Sequence, residues 1–324
     1  MEKTLVLIHT VEGGAVPTAA LETLAAANSL GGEVVIGVFG EGAGSSIGTL
    51  AVDSDEFTQP RYSTDAAACE ALIKASGAAI VLAPHTSRLA RALPGAAARL
   101  GGVVDTHIVG LGVENDAPSA SRWFYRQRIE GTLSRTARPW VMLIEPGSFE
   151  AAEAAPAASV TKLDVAATSK TQFVGFESPE TGEQTIRPEA DTLLVAGAGW
   201  TKKQKDGQTH TPEAAELIIG FVRAAKSSLG SSKSLVDMGS EGQSVLPFLT
   251  HMHQIGQTGS TPRHRKGLAT CCHGEEPHVV GWRFVRERRA VNMDANCGWA
   301  RGKADVLYVA DAFEVMRELN KLIG

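Results

Sequence analysis

Short runs of consecutive apolar residues alternate along the chain with longer alanine- and leucine-rich stretches, and glycine or proline marks most of the changes. Leu5-Val-Leu-Ile8, bounded by His9-Thr10 and Gly13-Gly14, has the unbroken apolar pattern of a strand buried on both faces. Residues 17–29 then predict a helix, with Pro17 near its first turn and Gly31-Gly32 beyond its end. The alternation continues with a strand over 33–39, a helix over 66–75, a strand over 79–83, a helix over 87–100 and a strand over 105–109. Strands alternating with helices imply an open, mostly parallel α/β sheet. Residues 124–131 and 138–149 also read as strands, and 160–165 and 171–177 could pair as outer strands.

From 150 to 158 the composition shifts to Ala, Glu and Pro, an exposed connection, and a second domain is expected after Arg187-Pro188. The predicted division is 1–187 and 188–324, each an open α/β sheet flanked by helices. The second domain begins with a strong strand, Thr192-Leu-Leu-Val-Ala196, ending in Gly197-Ala-Gly199-Trp200. Thr211-Pro212-Glu213 then opens a helix expected to run to about residue 228.

Composition narrows the class. With 324 residues and 43% apolar content the chain can bury two cores. No apolar run approaches the roughly 20 residues that span a bilayer. The N-terminus enters a strand directly, without the layout of a signal peptide, so a cytoplasmic location is expected. Four cysteines do not make a disulfide framework. A net charge of −5 gives no reason to expect nucleic acid as a partner. Locally, seven Lys or Arg against three Glu between Pro262 and Arg289 form a basic patch that suits either a phosphate or a solvated loop.

Candidate chemistry concentrates between Gln254 and Asp294. Gln254-Ile-Gly256-Gln257-Thr258-Gly259 is a tight polar turn whose glycines allow close backbone approach to a ligand. An apolar run to Cys272 breaks at His273-Gly274 and leads to His278, and a further strand ends at Asn292-Met-Asp294. In a parallel sheet these turns would meet at the carboxyl ends of neighbouring strands, around a nucleotide-sized ligand. Gly40-Glu-Gly-Ala-Gly44 is a turn and not a dinucleotide fingerprint, because the sixth position falls on Ser45 or Ile47. Cys271, Cys272, His273, His278 and Cys297 raise a metal alternative, disfavoured because adjacent strand residues point to opposite faces. His251-x-His253 reads as loop polarity, and no hydrolase, P-loop or zincin signature is present.

Four spaced motifs, S-K-x-x-V-D-x-G from Ser232, Q-x-G-Q-T-G from Gln254, H-G-x-x-P-H-x-x-G from His273 and N-x-D from Asn292, resemble the FAD-binding domain of the electron transfer flavoprotein alpha subunit. The tail from Ala310 to Val315 resembles that family's ending, and 124–131 and 138–149 more loosely resemble two strands of its first domain. The resemblance implies a Rossmann-like C-terminal domain binding FAD, a beta subunit packed on the N-terminal domain, and electron carriage in place of stand-alone catalysis. Electrons would come from a flavin-dependent dehydrogenase, expected in amine or methyl-group catabolism, and pass to a quinone-linked oxidoreductase.

By that resemblance Ser232, Lys233, Gln254, Gln257, Thr258, Gly259, His273, Gly274, His278, Asn292, Asp294 and Asp311 contact the cofactor. Lys233 and His278 would stabilise negative charge on the reduced flavin. Gln257, Thr258 and Gly259 would face the ribityl chain or pyrophosphate, and Asn292 and Asp311 the adenosine half. The chain also departs from the family wording. His273 replaces a serine, Pro277 a glutamine, Ser260 a basic residue, and Gly197-Ala-Gly-Trp200 is shorter and lacks an arginine. An alternative is therefore a structural subunit of a flavoenzyme complex that has lost FAD.

Overall fold

The computed structural model describes residues 1–115, 117–124, 129–166, 171–175, 177, 187, 190–237, 245–255, 264–270, 285–297, 300 and 304–324, with the side chains of Lys233 and Asp237 excepted. The chain forms two compact units, Met1–Glu177 and Ser178–Gly324.

In the first unit the strands are β1 (Thr4–His9), β2 (Val34–Gly40), β3 (Leu50–Asp53), β4 (Ile80–Pro84), β5 (Val103–Glu114), β6 (Ala117–Phe124), β7 (Ile129–Leu133), β8 (Trp140–Ile144) and β9 (Thr161–Lys162). Helices α1 (Thr18–Ser29), α2 (Tyr62–Ser76) and α3 (Ser87–Arg99) lie between them. Among the described residues the sheet order is β7-β6-β5-β8-β4-β1-β2-β3-β9. Pairings from β5 to β9 are parallel, and β6 and β7 add an antiparallel edge. The apolar runs serve two cores at once: Leu5 and Leu7 pack on the side of α2 and α3, while Val6 and Ile8 pack on the side of α1.

The helices and the central parallel strands fall where the sequence predicts them, whereas β3 and most of β6 lie outside any predicted strand. Of the strand expected over 124–131 only Phe124, closing β6, and 129–131, opening β7, are described. Of the two outer strands, 160–165 contributes the short β9 beside β3, while the described residues of 171–177 are irregular. Buried charge is paired. The Asp65 carboxylate, with a fully buried side chain, accepts from Arg88 Nε at 2.9 Å and Nη2 at 2.6 Å, and Arg88 also donates to the Phe57, Thr58 and Gln59 carbonyls. Burial still lifts the Asp65 carboxyl above the usual range, against the pull of Arg88 and Arg91.

In the second unit the strands are β10 (Thr192–Ala196), β11 (Ser228–Ser231), β12 (His264–Thr270), β13 (Val285–Asn292) and β14 (Val306–Val309), with helices α4 (Thr211–Ala224), α5 (Lys233–Asp237) and α6 (Ala312–Ile323). The described strands pair in parallel in the order β11-β10-β12-β13-β14. The helix expected to reach residue 228 stops at Ala224. Lys226 takes a left-handed φ of 48°, and Ser228–Ser231 becomes β11. Alternate residues of β10 again feed two layers, Leu194 and Ala196 toward α4 and α6, and Leu193 and Val195 toward Ile255 and Cys297. No helix among the described residues is long and apolar enough to cross a membrane.

Candidate functional site

Strand order locates the crevice. From β10 the chain moves to β11 on one side, then crosses to β12 on the other, so the order reverses between β10 and β12. In open α/β sheets ligands sit at such a reversal, outside the carboxyl ends of the strands. Here those ends carry Ala196, Ser231, Thr270, Asn292 and Val309.

At the β11 end, Ser231 bridges in parallel to Gln254, and Ile255 N–H donates to the Ser231 carbonyl at 3.1 Å. Gly230 makes this approach possible, since a Cβ there would lie 2.1 Å from Ile255 Cδ1. Gln254 is only 5% exposed, and among the described residues neither its Nε2 nor its Oε1 has a hydrogen-bond partner. The buried Ser231 hydroxyl is likewise unpartnered. An unsatisfied buried polar group costs about 1–3 kcal/mol, and two neighbouring residues carrying such groups form a cradle whose polar atoms lack a complement. Ser232 uses its hydroxyl to accept from Leu235 N–H at 3.4 Å, starting α5, whose first residue is Lys233.

At the β10 and β12 ends, Gly197 N–H donates to the Thr270 carbonyl at 2.9 Å. Trp200, fully buried, donates its indole N–H to Thr270 Oγ1 at 2.9 Å and packs on the Phe313 ring at 4.6 Å between centroids. Both rings belong to the core that packs the sheet against α4 and α6. Neither Trp200 nor Thr270 was singled out as a site residue from sequence. The available signal was a tryptophan directly after a strand–glycine turn, where a buried indole N–H needs an acceptor.

The remaining candidates divide. Asn292 is 7% exposed and its Oδ1 accepts from Asp294 N–H at 2.9 Å; Asp294 Oδ1 in turn accepts from Asn296 N–H at 2.8 Å. Asp311 caps α6 by accepting from Phe313 N–H at 2.9 Å, with Lys205 Nζ 3.8 Å away. It also lines a cavity of about 300 Å³ shared with Gln204, Asp206, His210 and Arg317. There the Gln208 N–H and the His210 ring hold the Asp206 carboxyl below its usual range. Gln257, Thr258, Gly259, His273, Gly274 and His278 lie outside the described residues, as do Cys271 and Cys272 of the metal alternative. Four described members of the basic patch are paired: Lys266 with Asp191 at 3.1 Å, Arg288 with Asp305 at 3.0 Å, and Arg265 and Arg289 with Glu287 at 3.7 and 3.5 Å. His251–His253 forms a capped 3-10 turn with Thr250, in keeping with a loop role. A smaller cavity of about 180 Å³ in the first unit is lined by His9, Glu12 and Glu41, carboxylates ill suited to a phosphate.

A family model described as an electron transfer flavoprotein domain matches residues 4–168. The mitochondrial electron transfer flavoprotein subunit alpha of Oryza sativa subsp. indica is 27% identical over 339 aligned positions, covering 96% of this chain and 87% of the relative. The corresponding subunits of Pseudomonas aeruginosa and Methylophilus methylotrophus are 24% and 25% identical, covering 98% and 92% of this chain and 99% and 92% of the relatives.

Proposed function

The chain belongs to the electron transfer flavoprotein family as a divergent relative of its alpha subunits, and on that premise we propose that its C-terminal unit holds FAD at the carboxyl edge of the five-stranded sheet. The observation that carries this reading is the buried Gln254 carboxamide beside the buried Ser231 hydroxyl, both without a partner among the described residues. A polar ligand supplies both with hydrogen bonds they otherwise lack, and a carboxamide can serve as donor and acceptor at once.

When bound, FAD supplies reversible electron exchange at its ring system. The chain's part is positional and electrostatic. Gln254 and Ser231 orient the ligand, and Ser232 fixes the start of α5 and so the backbone of Lys233. Lys233 and His278 contribute positive charge or a proton donor that favours the reduced ring. By the family resemblance Gln257, Thr258 and Gly259 would hold the ribityl chain or the pyrophosphate, and His273 and Gly274 would be further contacts. Asn292 and Asp294 shape the turn beyond β13 through their own hydrogen bonds, and Asn292 with Asp311, which lines its cavity, would hold the adenosine half. Trp200, buried and bonded to Thr270, would hold the ends of β10 and β12 together beneath the ligand.

Residues 1–187 form the domain that packs on a beta subunit, and 188–324 the FAD domain. Electrons come from a flavin-dependent dehydrogenase of amine or methyl-group catabolism and pass to a quinone-linked oxidoreductase, in the cytoplasm. Reduction of the purified alpha–beta protein by candidate dehydrogenases tests the donor. A dehydrogenase whose turnover is unchanged when this subunit is deleted is not that donor. Trp200 also favours a second reading, since an indole bonded across the strand-order reversal leaves less room for a ligand. On that reading the chain is a non-redox structural subunit, and the protein co-purified with its beta partner is colourless.

A further inference from the structure

We propose that His85, His107 and Glu145, in the N-terminal unit, form a binding site for a divalent transition-metal ion, zinc in preference to magnesium or calcium. His85 Nδ1 lies 3.0 Å and His107 Nδ1 2.8 Å from the same carboxylate oxygen, Glu145 Oε2. One donor atom from each of the three residues falls within 4.8 Å of the others. Around a four-coordinate zinc with bonds of about 2.0–2.2 Å, neighbouring donors sit roughly 3.3–3.6 Å apart. The three side chains are therefore almost at coordination spacing, and a small outward rotation of each admits the ion.

The backbone brings them there from three adjacent strands. His85 directly follows β4 and its N–H donates to the Ile144 carbonyl at 2.8 Å. Glu145 directly follows β8 and its N–H donates to the Ile108 carbonyl at 2.9 Å. His107 sits where the register of β5 on β8 shifts between Asp105 and Ile108, and it holds a left-handed φ of 57°. Such a conformation is unfavourable for a non-glycine residue and persists where the surroundings impose it. A bulge of this kind re-aims one side chain, and here it turns the His107 ring edge-on to His85, with centroids 4.3 Å apart.

Donor chemistry selects the ion. Two imidazoles and one carboxylate suit zinc and its first-row neighbours, whereas magnesium and calcium require sets of oxygens. Three protein ligands leave a position for water, and the side-chain exposures of 17% for His85, 20% for Glu145 and 54% for His107 leave the cluster open on one side. Two histidines merely sharing a hydrogen-bond acceptor would satisfy the same distances, so the distinction is metal uptake itself.

The full-length chain, stripped with chelator, is titrated with Co²⁺ under visible absorbance and then with Zn²⁺ in competition. The expected result is stoichiometric Co²⁺ uptake with ligand-field bands, displacement by Zn²⁺, and no effect of excess Mg²⁺. His85→Gln and Glu145→Gln weaken uptake by about tenfold or more. His107→Gly, whose backbone accepts the left-handed φ without strain, keeps the wild-type melting temperature or raises it and still loses affinity. His210→Gln leaves uptake unchanged. Absence of stoichiometric uptake, or uptake untouched in Glu145→Gln and His107→Gly, overturns the proposal, as does uptake that disappears instead when Cys271 and Cys272 become serine.

Discussion

Trp200 and Thr270, 70 residues apart in sequence, are joined by a 2.9 Å hydrogen bond from indole N–H to hydroxyl oxygen across the point where strand order reverses in the second unit. Thr270 Oγ1 in turn donates to the Val195 carbonyl at 3.3 Å, so one hydroxyl ties the turn after β10 to the end of β12. Thr270→Val keeps the shape and leaves the buried indole N–H unpaired, which should cost about 1–3 kcal/mol. Urea denaturation measures the loss. Thr270→Ser should retain most of the stability, and a Thr270→Val variant as stable as wild type would show that the bond holds nothing together.

Gln254 gives a prediction in which stability and binding move in opposite directions. Gln254→Leu removes a buried carboxamide that has no partner among the described residues and leaves a side chain of similar size. The ligand-free variant should be as stable as wild type or more stable by about 1–3 kcal/mol, while FAD affinity falls by about tenfold or more. Melting curves with and without FAD measure both quantities. Equal FAD affinity in the two proteins would remove Gln254 from the site.

How far the sequence revealed this arrangement depended on whether the signal was local. Leu5 to Ile8 and Leu193 to Ala196 announce buried parallel strands because each is an unbroken apolar run, and both become interior strands of their sheets. Ser228–Ser231 was hidden, since a polar tetrapeptide after a strong helix becomes a strand only through pairing with β10 and through the turn at Lys226. Ser232 and Gln254 could be named from their motifs, but the bridge between Ser231 and Gln254 is a tertiary fact with no periodicity of its own. The triad of His85, His107 and Glu145 was equally silent. Its members are separated in sequence, and only the β4-β8-β5 order and the irregularity at His107 bring them together.

Arg88 is the partner that makes the buried Asp65 carboxylate tolerable. Arg88→Ala should destabilise the first unit by about 3 kcal/mol, because it leaves the buried carboxylate with only the more distant Arg91, at 3.6 Å, as a counter-charge. Arg88→Met combined with Asp65→Leu removes both charges and should recover a substantial part of that loss. Chemical denaturation of the single and double variants provides the check. A double variant no better than Arg88→Ala would mean that the guanidinium acts mainly through the Phe57, Thr58 and Gln59 carbonyls.

His9 sets a pH dependence. Burial, and secondarily the charge of Arg88, depress its pKa to about 4, while its Nε2–H donates to the Phe57 carbonyl at 3.1 Å. In the unfolded chain the ring titrates near 6.5. Between those values the unfolded state binds more protons, so stability is complete above about pH 6.5 and declines as pH falls toward 4, by on the order of 2–3 kcal/mol. His9→Gln should flatten the stability–pH curve in that window. An unchanged slope would mean that His9 titrates normally in the folded protein.

The most direct test is the absorbance spectrum of the protein purified with its beta partner, followed by release and identification of the bound nucleotide. The account predicts flavin bands that bleach on reduction, FAD as the released species in proportion to the alpha chain, and loss of colour in Gln254→Leu. A colourless preparation that takes up no added FAD would contradict it and leave the structural-subunit reading in its place.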